Sequence, residues 1–541
     1  LIYSYEFIDS LLILTYFLIL IFLGLLFSGS EKNSSEYFLA GRRGMWVETG
    51  VSLFISNLFY GYFIGAAVLG RTGEKVFGPC GGLACVALLI LGWIFIPLYH
   101  DRRVHTVTEV AGNRYKGLSR SMLTGLFLVI HGFLKIIIIL YAGHLLLRSL
   151  MGRGCTASLM VIVMAAGLYT IAGGMKAIYG VDLFLGSVFF VTVVLLLAYG
   201  PDLWEGVPGG ISGSAPYFTG TPWIFPPHFS WVGIFIGVPM LGIVYWCVDQ
   251  SVVQKVLGAR SVSAARGGIL LSACLFIFFA FIFVRFPYTT GAVTGSLSSE
   301  KAINTVFRTG HSLPGGLRGM LTAGSMAVLI SSLASSFHSS STLFTMDMYR
   351  RLKNRSEDKE LVLVGRLVTT VMVIYTLLLV LFVRYTNTTV LDIIQRVPAY
   401  LLSPLAVVFF VGLGWKKING NGVVSSLAAG TLLAAGRLTF EAIRGSGKTV
   451  PEWLSPLIRM PAVEFAVYSF LITGAILFSV SFFTASGPLR AKPVRVSAEG
   501  GGSGKQESRK IFKGQSIRVK IFFGISLILM IAGIFLYGNI F

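Results

Sequence analysis

The sequence predicts an all-α polytopic membrane protein, and three observations carry that prediction. Hydrophobic residues make up 55% of the 541-residue chain and charged residues only 12%, with a mean hydropathy of +0.78, a composition typical of multi-span membrane proteins. Apolar stretches long enough to cross a hydrocarbon core of about 30 Å recur along the whole chain. Between them no polar stretch is long enough to fold alone, so residues 1–541 read as a single transmembrane domain.

A window of about 20 apolar residues gives about fourteen spans, centred near residues 17, 58, 90, 134, 164, 188, 244, 277, 334, 373, 402, 430, 473 and 530. The first, over about 7–28, follows a segment bearing Glu6 and Asp9 and no base, which is the wrong flank for a signal peptide. The span near 134 contains His131 and Lys135, and a cation there must point into the protein or snorkel. Asp182 lies close to the inner end of the span near 188, where an acid is a functional candidate; pairing with Lys176 or another loop base is the structural alternative. Arg437 and Glu441, four apart in the span near 430, are placed to pair on one helix. Two spans follow over 462–541, joined across 487–520 by a flexible polar linker containing EGGGSGKQESRK.

The formal net charge of +21 resembles a nucleic-acid signal, but Lys and Arg sit mostly in short loops between spans. The loops HDRRVHTVTEVAGNRYKGLSR, QKVLGARSVSAARGG, YRRLKNRSEDKE, GWKKINGNG and the run Arg490 to Lys520 fall on one face. The alternate face carries PDLWEGVPGGISGSAPYFTGTPWIFPPHF, which lacks Lys and Arg. Positive-inside topology therefore explains the charge, with a lipid bilayer and no nucleic acid as partner and both termini outside a plasma membrane. Asn387, in TNTT, is a glycosylation sequon on the outer face. Cys80, Cys85, Cys155, Cys247 and Cys274 have neither paired nor metal-like spacing.

The chain is organised around Leu321 to Arg351, LTAGSMAVLISSLASSFHSSSTLFTMDMYRR. At 3.6 residues per turn Val328, Ser331, Ser332, Ser335, Ser339 and Thr342 share a stripe roughly a quarter of the circumference wide. Hydroxyls are costly against hydrocarbon, so this stripe is expected to face the protein, a neighbouring helix or an ion. Back-bonding to the helix's own carbonyls is the alternative for each hydroxyl alone.

Five stretches in order, EYFLAGRRGMWVETGVSLFISN (36–57), LYTIAGGMKAIYGVD (168–182), YWCVDQSVVQKVLGARS (245–261), SSLASSFHSSSTLFTMDMY (331–349) and LSPLAVVFFVGLGWKK (402–417), resemble the solute:sodium symporter family, most closely its sodium/glucose cotransporter branch. The resemblance implies a LeuT-like core of ten helices in two inverted five-helix repeats, over about 46–442. The first helix of each repeat is then broken near the midplane, and Asn57 and Gly61 in SLFISNLFYGYFIG weaken helix where the first break is expected.

The same resemblance implies a sodium site formed by the carbonyls of Ile55, Leu58 and Val328 and the hydroxyls of Ser331 and Ser332. Asp182 and Ser335 fall at the ion's exit or at a second sodium site, and Ala334 stands where a two-sodium member carries a hydroxyl, so one sodium per cycle is expected. For a small-molecule solute the resemblance implies Asn57, Tyr245, Trp246 and Gln395 as matching contacts, Tyr245 being the inner-gate aromatic. Tyr62 and Phe276 are departures, as are Gly81 and Gly242, each replacing a polar partner. The implied function is sodium-coupled symport of a small organic solute, most of all a sugar or polyol. The altered pocket leaves open a non-sugar solute, or a sodium-dependent sensor or leak. No nucleophile–base pair or metal-like cluster in the spans points to an enzyme, and a helper membrane subunit is not readable from the sequence.

Overall fold

A computed structural model describes residues 7–29, 33–68, 77–101, 104–112, 114–115, 117–151, 155–204, 232–289, 316–353, 355–383, 388–412, 414–415, 417–445, 451–452 and 455–484. Side chains of 59–68, 77–83, 101, 149, 196, 199–204, 234, 280–289, 388–395 and 459 are not among those described. The described residues are helical, apart from loops and one isolated bridge between Gly44 and Ala259.

Eight of the described helices are long and apolar enough to cross a membrane: Phe7–Phe27, Leu118–Arg148, Cys155–Leu195, Val262–Phe279, Leu317–Leu352, Asp358–Val383, Gly420–Gly445 and Ala462–Phe483. A ninth is the pair Phe235–Val248 and Gln250–Leu257, bent by 44°. Trp46–Val68, Phe77–Ile90 and Thr388–Ala406 supply helices where the spans near 58, 90 and 402 are expected. The span near 530, the linker before it, Asn387 and most of the base-free loop after Trp204 lie outside the described residues.

The spans expected near 164 and 188 are one run, Cys155–Trp204, folded at Gly174, where φ is 54° and ψ is −141°. Only glycine enters that region readily, and a Cβ there would also collide with the Tyr37 carbonyl. Gly174→Ala is expected to cost about 1–3 kcal/mol, read as a lower unfolding temperature of the detergent-solubilised chain. An unchanged temperature would mean that the fold tolerates a Cβ at this corner.

With Cys155–Trp204 counted as two spans and the bent pair as one, the tenth helix from Trp46 is the one beginning at Thr388. Counted so, the described residues of 46–442 hold eleven helices, the last of which, Gly420–Gly445, packs on Ala462–Phe483. Its Arg437 and Glu441 pair as the spacing predicts, Nε to Oε1 at 2.8 Å. Tyr400 donates to the same Glu441 oxygen at 2.7 Å.

Leu317–Leu343 sits at the centre, packed against Cys155–Trp204, Trp46–Val68 and Phe7–Phe27. Its hydroxyl stripe is buried as expected, but Ser336, His338, Ser340 and Ser341 on its other sides are buried too. The lining is therefore not a single stripe: protein encloses the second half of this helix all round. Its first turn has no cap of its own. Asp9, on Phe7–Phe27, supplies one by accepting from the backbone N–H of Gly316 at 2.9 Å and of Gly319 at 2.7 Å, a negative group where the helix end favours one.

Candidate sodium and solute sites

The hydroxyls of the central helix divide into three kinds. Ser336, Ser339, Ser340 and Thr342 bond back to carbonyls of their own helix. Ser332 reaches out instead, donating to the Ser56 carbonyl on Trp46–Val68 at 2.9 Å. Ser331 and Ser335 are buried, and their hydroxyl oxygens make no hydrogen bond among the described residues. A buried hydroxyl left in that state is costly, and a hard cation that takes oxygen ligands would relieve it. Val328, Ile55 and Leu58 are also buried around this junction.

The break expected at Asn57 does not occur, since Trp46–Val68 is one continuous helix. The polar side chains support the helix rather than interrupting it. Asn57 Nδ2 donates to Leu53 O at 2.9 Å and Ser56 Oγ to Ser52 O at 2.7 Å. Each carbonyl has two lone pairs, so Ile55 and Leu58 can still offer oxygens from an intact helix. The break of the second repeat is present at Asp249, where φ is −61° and ψ is 123°. Its carboxylate caps the half-helix Gln250–Leu257, accepting from Ser251 N at 2.8 Å and Val252 N at 3.3 Å, as an N-cap aspartate does.

Asp182 is fully buried, and its partner is neither Lys176 nor a loop base. Lys255, on the capped half-helix, donates to Asp182 Oδ2 at 3.1 Å, and Ser52 donates to the same oxygen at 2.5 Å. Asp182 thus ties Trp46–Val68, whose Ser56 carbonyl meets Ser332, to the capped half-helix.

On the solute side the structure brings together Asn57 and Tyr245, whose hydroxyl donates to Asn57 Oδ1 at 2.8 Å. Trp246 meets Tyr245 and Phe276 edge to face, both at 5.1 Å between centroids, and Phe276 meets Phe54 likewise at 5.0 Å. Trp246 and Phe276 therefore form an interlocked aromatic wall. The side chains of Tyr62 and Gln395 lie outside the described residues.

Beneath the Tyr245 ring, 5.4 Å from its centroid, sits the Lys135 ammonium. It donates to Ser251 Oγ at 2.7 Å and Asp249 Oδ2 at 3.4 Å, and His131 Nδ1 is 3.5 Å from that same carboxylate oxygen. Sequence reasoning left the role of Asp249 unread and missed Lys255, Ser251 and Ser52. For Asp249 a signal existed, because an Asp immediately before an amphipathic run, here QSVVQKVL, is an N-cap candidate. For Ser52 and Lys255 there was none.

Residues 37–200 and 227–430 match the Sodium:solute symporter family. The chain is 30% identical over 525 residues to Sodium/glucose cotransporter 1 of Oryctolagus cuniculus, covering 88% of this chain and 79% of that one. It is 30% identical over 520 residues to Sodium/myo-inositol cotransporter 2 of Homo sapiens, covering 87% and 76%. Its fold is similar to that of a Na+-coupled sialic acid symporter solved in a substrate-bound, outward-open state, with a TM-score of 0.72 at 21% identity over 90% of this chain and 100% of the other. The LeuT-like architecture expected from the sequence is the one shared with that structure. By the extent of the family match and of its relatives, the chain belongs to the sodium:solute symporter family.

Proposed function

We propose that the chain is a sodium-coupled symporter of a sugar or polyol that works by alternating access across the plasma membrane, with both termini outside. The observation that carries the ion half is the buried, unbonded hydroxyl of Ser331 beside the Ser332–Ser56 contact. In this reading sodium, as cargo, is held by the hydroxyls of Ser331 and Ser332 and the carbonyls of Ile55, Leu58 and Val328, and leaves past Ser335 and Asp182. The solute lies against Asn57, Tyr62, Tyr245, Trp246, Phe276 and Gln395, and the Tyr245–Asn57 bond closes its inner exit. Relatives that carry glucose or myo-inositol by name support a polyhydroxyl solute. The ten-helix core then ends with the helix beginning at Thr388, and Gly420–Gly445 is peripheral.

The Phe54–Phe276–Trp246 wall favours a second reading. It offers rings and few hydrogen bonds, which suits a less polar solute or a sodium leak that no sugar gates. Membrane current recorded with and without sodium, across hexoses, inositols, amino acids and monocarboxylates, separates these. Sodium-dependent current evoked by a hexose or inositol is the expected result. Sodium current indifferent to every solute would favour the leak, and solute-evoked current without sodium dependence would sink the symport reading.

A further inference from the structure

We propose that the Cys155 thiol and the His144 imidazole form a binding site for a soft divalent metal, zinc above all. The site uses none of the sodium or solute residues, so it stands apart from the symport reading. Cys155 Sγ lies 3.7 Å from His144 Nδ1, and both residues are buried, 5% and 8% exposed. His144 belongs to Ile136–Met151, and Cys155 opens Cys155–Trp204. Because 11 positions separate the two, no local spacing announces them, and only the meeting of the two helices brings them together.

Zinc bonds of about 2.3 Å to sulfur and about 2.0 Å to nitrogen, set at a tetrahedral angle, place two such ligands about 3.5 Å apart. The observed pair is close to that spacing. It also suits a thiol donating to an unprotonated ring nitrogen, so a metal that binds takes the place of the thiol proton and releases it. Cys155 stands at a helix start, where the macrodipole favours the thiolate a metal requires. A second sulfur is close by: Ser158, one turn along from Cys155, donates to the Met151 thioether at 3.3 Å. Thiolate, imidazole and thioether are soft donors that suit zinc and not sodium or magnesium. No third His, Cys, Asp or Glu joins the pair among the described residues. The remaining positions are left to Met151, Ser158 or water, and binding is weaker than at a four-ligand site. Arg148, exposed and one turn after His144, opposes a cation, but exchanging a thiol proton for zinc adds only a single net charge.

The same end of these helices touches the central one. Leu146 and Leu150 pack with Leu321, and Arg318 donates to the Leu150 carbonyl at 3.1 Å. A metal held by His144 and Cys155 therefore fastens together two helices that adjoin the start of Leu317–Leu343, at the end that the proposed topology turns outward.

Calorimetric titration of zinc into the purified full-length chain, in detergent and without a histidine tag, tests the site without knowledge of the solute. Wild type is expected to bind about one zinc with a Kd of about 1–100 µM. It should release about one proton per zinc, seen as a heat that changes with the buffer. Cys155→Ser and His144→Ala are each expected to weaken binding about tenfold or more, whereas Cys274→Ser, which removes an exposed thiol, leaves it unchanged. A folded, monodisperse wild type that binds no zinc overturns the inference, as does wild-type affinity in Cys155→Ser or His144→Ala. If neither of those variants accumulates, X-ray absorption of zinc bound to wild type decides. A shell with sulfur at about 2.3 Å beside nitrogen is expected, and a shell of oxygen and nitrogen alone overturns the site. Sodium enters none of these readouts, so the symport reading and the metal site fail separately.

Discussion

Asp249→Asn is expected to lower the stability of the folded chain by about 3–5 kcal/mol, the usual effect of removing one member of a buried ion pair. Asparagine keeps an oxygen that can cap Gln250–Leu257, so the helix start survives and the loss is one of charge. Lys135, 1% exposed, is then left without the carboxylate 3.4 Å away. The Ser251 hydroxyl and the Tyr245 ring are partial substitutes, because neither carries a negative charge. Adding Lys135→Met to Asp249→Asn is expected to recover most of the loss, since an apolar replacement of a whole buried pair is often neutral. Unfolding temperatures of the two single variants and the double, in one detergent, read this directly. A double variant no more stable than Asp249→Asn would mean that the loss does not come from leaving Lys135 without its counter-ion.

Ser331→Ala is expected to separate sodium affinity from stability. Its hydroxyl makes no hydrogen bond among the described residues, so removal leaves the sodium-free unfolding temperature unchanged or slightly raised. With the roughly 1.5–3 kcal/mol of a hydrogen bond to a charged group as the scale for one lost oxygen ligand, sodium affinity should fall about 10- to 150-fold. The readout is the rise in unfolding temperature as sodium is titrated, which follows the ratio of ion concentration to Kd. Ser336→Ala is the matched control, because that hydroxyl is already satisfied by the Ser332 carbonyl at 2.9 Å. Wild-type sodium response in Ser331→Ala would remove this residue from the ion site.

What could be read from the sequence was what lies along one helix. The hydroxyl cluster of the central helix and the Arg437–Glu441 pair follow from spacing, because positions three or four apart share a face whatever the tertiary fold. The helix's burial on every side did not follow, since periodicity reports a preferred face and not how many neighbours arrive. The pairs Lys255–Asp182 and Lys135–Asp249 join residues 73 and 114 positions apart, and no local pattern sets which acid meets which base. The break expected at Asn57 failed for a related reason. Asparagine weakens an isolated helix by bonding to nearby backbone, but here its bond to Leu53 O lies within the helix and is compatible with it.

The cap that Asp9 places on the central helix has a mechanical consequence. Phe7–Phe27 has only 17% of its apolar window buried within the protein, whereas Leu317–Leu352 has 89%. Among the described residues the first therefore turns most of its surface outward and the second is enclosed by protein. Helices in contact with lipid tilt when hydrocarbon thickness changes, and membranes along the secretory route differ by several Å, about 27 Å against about 32 Å. Two hydrogen bonds from one carboxylate fasten the lipid-facing helix to the end of the helix that carries Ser331 and Ser332. Membrane thickness thereby gains a lever on an interior that no lipid touches.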